Sequence, residues 1–106
     1  MLFLWAGAPD VFITPAVQTL KPGDRLAMWC LEVDRQPVLL KWSKINGTLS
    51  SAVYMDESGL LEVTSVTADD AGQYQCHAAN QGGHADAFAE IIVAGRCNIL
   101  VDTFYT

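Results

Sequence analysis

Asp70-Ala71-Gly72-Gln73-Tyr74-Gln75-Cys76 is the stretch on which the reading of this chain turns. Tyr74, Cys76 and Ala78 recur at every second position, the period of a half-buried strand. Tyr74 stands two residues before the cysteine. From there its ring can fill a core while its hydroxyl reaches backbone at the preceding bend. Gly72 permits tight backbone at that bend, and Asp70 can accept hydrogen bonds in it. Cys30 lies 46 positions before Cys76, in a run where Leu26, Met28 and Cys30 alternate with Ala27 and Trp29. Two cysteines in apolar, alternating stretches are placed as a buried cross-link would be. Trp42 follows Cys30 by 12 positions.

Outward from this stretch the chain reads as short alternating runs between turn residues, with almost no helical period. Val11 to Leu20 is expected to be one extended edge strand, interrupted by Pro15. Lys21-Pro22-Gly23-Asp24 is a turn. Val38 to Lys44 is a strand with Leu40 and Trp42 on one face, and Asn46-Gly47 turns the chain. Val53 to Met55 is a short strand, and Asp56 to Gly59 is a turn. Leu61, Val63 and Val66 point inward from the next strand. Asn80-Gln81-Gly82-Gly83 is a hairpin loop, and Ala87 to Val93 the last strand. Seven or eight strands with turns this frequent predict an all-β sandwich or barrel. The folded unit is placed at residues 11–94, with an extension at 1–10 and a tail or linker at 95–106.

Composition narrows the function. The chain has 106 residues, 51% of them apolar and 17% charged, which fits one globular domain and excludes a disordered tail. The net charge of −6 opposes binding to nucleic-acid phosphates, and no run is long and apolar enough to insert in a membrane. The acidic residues are spread over several turns, which suits solubility better than a single ligand site. Cys97, the third cysteine, is left over in the tail. Met1 to Asp10 is apolar and reads as the ragged edge of a fragment, the alternative being a clipped signal peptide.

The Cys30…Trp42…Cys76 spacing and the Asp70-to-Cys76 motif together resemble the immunoglobulin superfamily, and within it the I-set. The resemblance implies a β-sandwich of two antiparallel sheets in which the Cys30–Cys76 bond pins one sheet to the other. Trp42, Tyr74, Leu61, Asp70 and Gly72 would build the core and corner around it. In this superfamily Asp70 often pairs with an arginine at the start of a neighbouring strand. Here that region reads Ala52-Val53-Tyr54-Met55, without one. Three segments narrow the likeness: Ile13-Thr14-Pro15 followed by Gln18-Thr19-Leu20-Lys21-Pro22-Gly23, Trp42-Ser43-Lys44-Ile45-Asn46-Gly47-Thr48-Leu49, and Gly59-Leu60-Leu61-Glu62-Val63. They are similar to the tandem immunoglobulin repeats of perlecan, a basement-membrane heparan sulfate proteoglycan. That likeness implies a secreted, extracellular spacer and protein-binding module, contacting neighbouring modules and laminin-like or nidogen-like matrix proteins. A module of a cell-adhesion or receptor ectodomain, or of an intracellular titin-like muscle protein, is the alternative.

Candidate chemistry is sparse. Asn46-Gly47-Thr48 is an N-glycosylation sequon on a turn. Ser58-Gly59 after two acids has the pattern of a glycosaminoglycan attachment point, but reads better as a hairpin turn inside the domain. His77, His84 and Asp86 lack a fourth ligand, and a solvated strand and loop is preferred to a metal site. No serine lies in a nucleophile-elbow context or near a histidine in the strand map, and no glycine-rich phosphate loop follows a strand. The expectation is a non-catalytic domain without cofactor. Trp29 points opposite to Cys30 and should lie on an outer sheet face, covering the stem of a residue such as Glu62 or meeting a partner. Lys41, Gln75, His77 and Phe88 should share the outer face of the other sheet and are candidates for partner contact.

Overall fold

The computed structural model describes residues 7–94. Cys97 and the rest of 95–106 lie outside the described residues, as do the first six. Among the described residues eight strands form: β1 (Val11–Thr14), β2 (Val17–Leu20), β3 (Leu26–Glu32), β4 (Leu39–Lys44), β5 (Tyr54–Met55), β6 (Leu60–Val63), β7 (Gly72–Asn80) and β8 (Gly83–Val93). A 3-10 turn, Ala68–Asp70, precedes β7. Two four-stranded sheets result, ordered β1-β3-β6-β5 and β2-β8-β7-β4. All pairings are antiparallel except β2 with β8, which is parallel. The chain is therefore an immunoglobulin-like β-sandwich.

The period-two pattern decides what lies between the sheets. Leu26, Met28 and Cys30 from β3 and Leu61 and Val63 from β6 are buried on one side. Tyr74, Cys76 and Ala78 from β7 and Ala87, Ala89 and Ile91 from β8 meet them from the other. Cys30 and Cys76 are bonded, joining β3 of one sheet to β7 of the other. Trp42 pairs with Cys76 in the β4–β7 ladder and is buried beside that cross-link.

Two strand assignments differ from the expectation. Val11 to Leu20 is not one edge strand but two, in different sheets: β1 pairs with β3 and β2 with β8. Pro15 has no N–H to continue a ladder, and the Thr14–Pro15 bond is cis. The next carbonyl, that of Ala16, already accepts from Glu90 N–H across the sandwich at 2.8 Å. The last strand begins at Gly83 rather than Ala87, because Asn80 pairs directly with Gly83 and leaves a two-residue turn. Asn80 Oδ1 accepts from Gly82 N–H at 2.7 Å and closes it. His84 and Asp86 thus sit within a strand, not beside a loop.

The corner before β7 is built from its own side chains. Thr67 caps the 3-10 turn, its hydroxyl accepting from Asp69 N–H while Asp70 Oδ2 accepts from Thr67 N–H at 2.8 Å. Among the described residues Asp70 has no arginine partner; this reciprocal cap uses its carboxylate instead. The Tyr74 hydroxyl donates to the Asp70 carbonyl at 2.6 Å. Tyr74→Phe leaves that buried carbonyl unpaired and is expected to cost about 1–2 kcal/mol in urea unfolding.

Burial first, and the Asp70 carboxylate second, push the Tyr74 phenol up to about 12. The folded chain therefore holds this proton more tightly than the unfolded chain, whose tyrosine titrates near a pH of about 10. The stability linked to it is complete below that pH and drains away as pH rises through about 12. Tyr74→Phe is expected to remove this alkaline component from the pH–stability curve.

Candidate functional site

With the interior filled by apolar side chains and a disulfide, contact chemistry falls to the exposed sheet faces and loops. On the β1-β3-β6-β5 sheet the pleat turns Phe12, Trp29, Leu31 and Tyr54 outward, and all four are exposed. Phe12 stands opposite Leu31, and Trp29 stands between Thr14 and Leu60. The residue directly opposite Trp29 is Leu60, and Glu62 stands on the diagonal. Register sets Glu62 opposite Ala27 and Tyr54, and the Glu62 carboxylate pairs with Arg25 at 2.5 Å. Trp29 is left 39% exposed, with Leu60 directly opposite and Leu31 two residues along its own strand. Phe12, Leu31 and Tyr54 were not singled out in the sequence. Each looks like an ordinary strand residue until the strand pairing puts it on the same outer face as Trp29.

Glu32 at the end of β3 ties one end of this sheet together. Its carboxylate accepts from Asp10 N–H at 3.1 Å, Asp34 N–H at 2.8 Å and Gln36 N–H at 2.7 Å. Partial desolvation pushes this carboxyl up, but the backbone donors of Asp10, Gln36 and Asp34 outweigh it and hold the group below its ordinary range. The start of β1 and the turn after β3 are thereby fixed relative to the aromatic face.

The outer face of the β2-β8-β7-β4 sheet is mixed. Lys41 of β4 stands opposite His77 of β7, which stands opposite Asp86 of β8. One row along, Ser43, Gln75 and Phe88 are aligned in the same way. Phe88 is 52% exposed, with Ile92 on the same side. Asp86 Oδ1 gathers two partners, His77 Nδ1 at 2.7 Å and Gln75 Nε2 at 2.9 Å. These hydrogen bonds, that from His77 foremost, hold the Asp86 carboxyl below its ordinary range. Because a carboxylate only accepts, the His77 proton must sit on Nδ1. His84 is tilted against His77 with ring centroids 5.4 Å apart. Register thus gathers His77, His84 and Asp86, with one donor atom from each lying within 4.8 Å of the others.

The remaining candidates are placed apart from both faces. Asn46 is exposed at a turn with φ of 60°, a left-handed conformation that asparagine tolerates. Ser58 is exposed, but its hydroxyl is engaged with Asp56 Oδ1 and its neighbour Gly59 is buried against β3. The turn accounts for both residues of that Ser-Gly pair. No helix among the described residues is long and apolar enough to cross a membrane.

Comparison with known proteins agrees with this architecture. The family model described as "Immunoglobulin domain" matches residues 8–80. The basement membrane-specific heparan sulfate proteoglycan core protein of Mus musculus is 30% identical over 95 residues, covering 90% of this chain and 2% of that protein. Protein sidekick-1 of Gallus gallus is 35% identical over 96 residues, covering 84% of this chain and 4% of its own length. Among solved structures, the titin M10–obscurin-like 1 immunoglobulin complex superposes with a TM-score of 0.68 at 26% identity. That match covers 81% of this chain and 93% of the other. The chain thus spans only a small fraction of the length of the proteoglycan core protein and of sidekick-1.

Proposed function

This chain belongs to the immunoglobulin-domain family, and from that footing we propose that it is a non-catalytic spacer and protein-binding module of an extracellular multidomain protein, of the basement-membrane proteoglycan kind. The observation that carries this reading is the exposure of Phe12, Trp29, Leu31 and Tyr54 on the outer face of a sheet that a disulfide pins to its partner sheet. Exposed aromatic residues on a stiff scaffold lose little entropy when a partner covers them. Lys41, Gln75, His77 and Phe88 offer a second, more polar contact face on the opposite sheet. Asn46, exposed at its turn, carries an N-linked glycan in this reading. The cross-link belongs to an oxidising compartment, which supports secretion over a cytosolic life. The proteoglycan relative supports the matrix assignment, and sidekick-1 and neuroglian, also similar over most of this chain, support an adhesion-type ectodomain as the second reading.

The test is to secrete the chain from cultured cells and analyse it without reduction. The expected product has Cys30 joined to Cys76 and a glycan on Asn46. In surface plasmon resonance against purified laminin-type and nidogen-type matrix proteins, saturable binding is expected. Trp29→Ala or Phe88→Ala should weaken it at least about tenfold while thermal unfolding stays near that of the parent. Free thiols at both cysteines with bare Asn46 would instead identify an intracellular muscle-type module. Binding that is absent, or indifferent to both substitutions, would overturn the contact faces.

A further inference from the structure

We propose that His77, His84 and Asp86 form a surface site for one divalent transition-metal ion of the zinc class. Register brings the three donors together. His77 of β7 stands directly opposite Asp86 of β8, and His84 lies two residues before Asp86 on the same strand. A strand repeats its facing every second residue, so His84 and Asp86 project from the same face. Ala79, the cross-strand partner of His84, is two residues beyond His77, which places the two imidazoles on a diagonal. The observed ring contact of 5.4 Å is the result. Three donors on one regular ladder therefore converge without any loop having to fold over them.

The donor chemistry is specific. Two imidazoles and one carboxylate suit zinc and its neighbours, and three protein ligands on one side leave positions for water or for a ligand atom from a partner. Bonds of about 2.0–2.2 Å to a central ion require the most widely separated donors, which lie within 4.8 Å, to draw closer, while His77 Nδ1 and Asp86 Oδ1, now 2.7 Å apart, part slightly. His84 is exposed, and the His77 and Asp86 side chains are 43% and 30% exposed, so rotamer changes can close that gap without disturbing the core. Gln75 Nε2 already orients the Asp86 carboxylate. Binding through His77 Nδ1 has a defined proton balance. The proton that Nδ1 now shares with Asp86 leaves to solvent while Nε2 takes one up from solvent, so the ring changes tautomer, stays neutral and releases no net proton.

The probe is zinc chloride, titrated calorimetrically into the full chain in a weakly coordinating buffer, with Cys97 replaced by Ser throughout so that its thiol cannot compete. The expected result is one ion per chain with micromolar affinity. His84→Ala and Asp86→Asn should each weaken it at least about tenfold. Lys41→Ala, which alters the same face without removing a donor, should not weaken it. Nitrogen-15 spectra of the histidine rings are expected to show the His77 proton moving from Nδ1 to Nε2 as zinc is added. Copper(II) should broaden resonances at these three residues before any others. Saturation only in the millimolar range, or zinc affinity indifferent to His84→Ala, would overturn the site.

Discussion

Removing the Cys30–Cys76 bond, by Cys30→Ala with Cys76→Ala, is expected to destabilise the domain by about 4 kcal/mol. The bond closes a loop with a sequence separation of 46, and the chain-entropy account of loop closure assigns about that much to a loop of such length. Domains of this size have a total stability of only about 5–15 kcal/mol, so the doubly substituted chain should be marginal at body temperature. The entropic term is not the whole cost. Both cysteines are fully buried and Trp42 lies beside Cys76, so truncating the sulfurs also loosens the packing around them. Urea unfolding of the parent, the double variant and the reduced parent separates the contributions. The reduced parent keeps both sulfurs in the core and loses only the covalent link. A parent whose urea midpoint does not fall on reduction would show that the link carries no stability.

Gly59→Ala is expected to be the most damaging single methyl in the chain, costing more than about 3 kcal/mol. Gly59 adopts φ of 97°, a conformation unfavourable for a side chain. Its carbonyl accepts from Cys30 N–H at 2.9 Å, which draws the turn before β6 tightly onto β3. A Cβ at this position would overlap the Cys30 carbonyl oxygen, a backbone atom of a central strand that cannot swing aside. The turn or the strand must shift, and β3 carries both the disulfide and half of one wall of the core. Gly23→Ala is the natural control. Gly23 has the same φ of 97° but open space where its Cβ would go, so it should lose only the conformational part, about 1 kcal/mol. Equal losses at both positions in thermal or urea unfolding would show that the contact with Cys30 is not the cause. A large loss at Gly59 alone would also confirm that the glycine of Ser58-Gly59 serves the turn rather than an attachment point.

The inward residues were legible in the sequence because burial in a sandwich follows a period of two. Leu26, Met28, Cys30, Leu61, Val63, Tyr74 and Cys76 could be assigned to the interior before any coordinates, and each is buried. The division of Val11 to Leu20 between the two sheets was not legible. Pro15 announces an interruption, yet an interruption is compatible with either one bent edge strand or a change of sheet. Only the pairing of β1 with β3 and of β2 with β8 decides between them. The start of the last strand was misplaced for a related reason. Asn80-Gln81-Gly82-Gly83 has loop-forming composition throughout, and the ladder nevertheless closes between its first and last residues.

The candidate sites divide along the same line. That Trp29 faces outward follows from its position next to Cys30, a local relation within one strand. That it lies in a row with Leu60, near Phe12 and Leu31, depends on register between strands far apart in the chain. Likewise, nothing in the spacing of His77, His84 and Asp86 reveals that their donors converge, because the turn length between β7 and β8 decides which residues face each other. Alternation along a strand is a property of the covalent chain and its pleat, so the sequence by itself determined the all-β class and the interior positions, while the sandwich and its cross-link followed from the family resemblance of the Cys30…Trp42…Cys76 spacing. Neighbourhood across a sheet depends on hydrogen-bonded partners and their register, so only the tertiary structure decided which outward side chains share a surface.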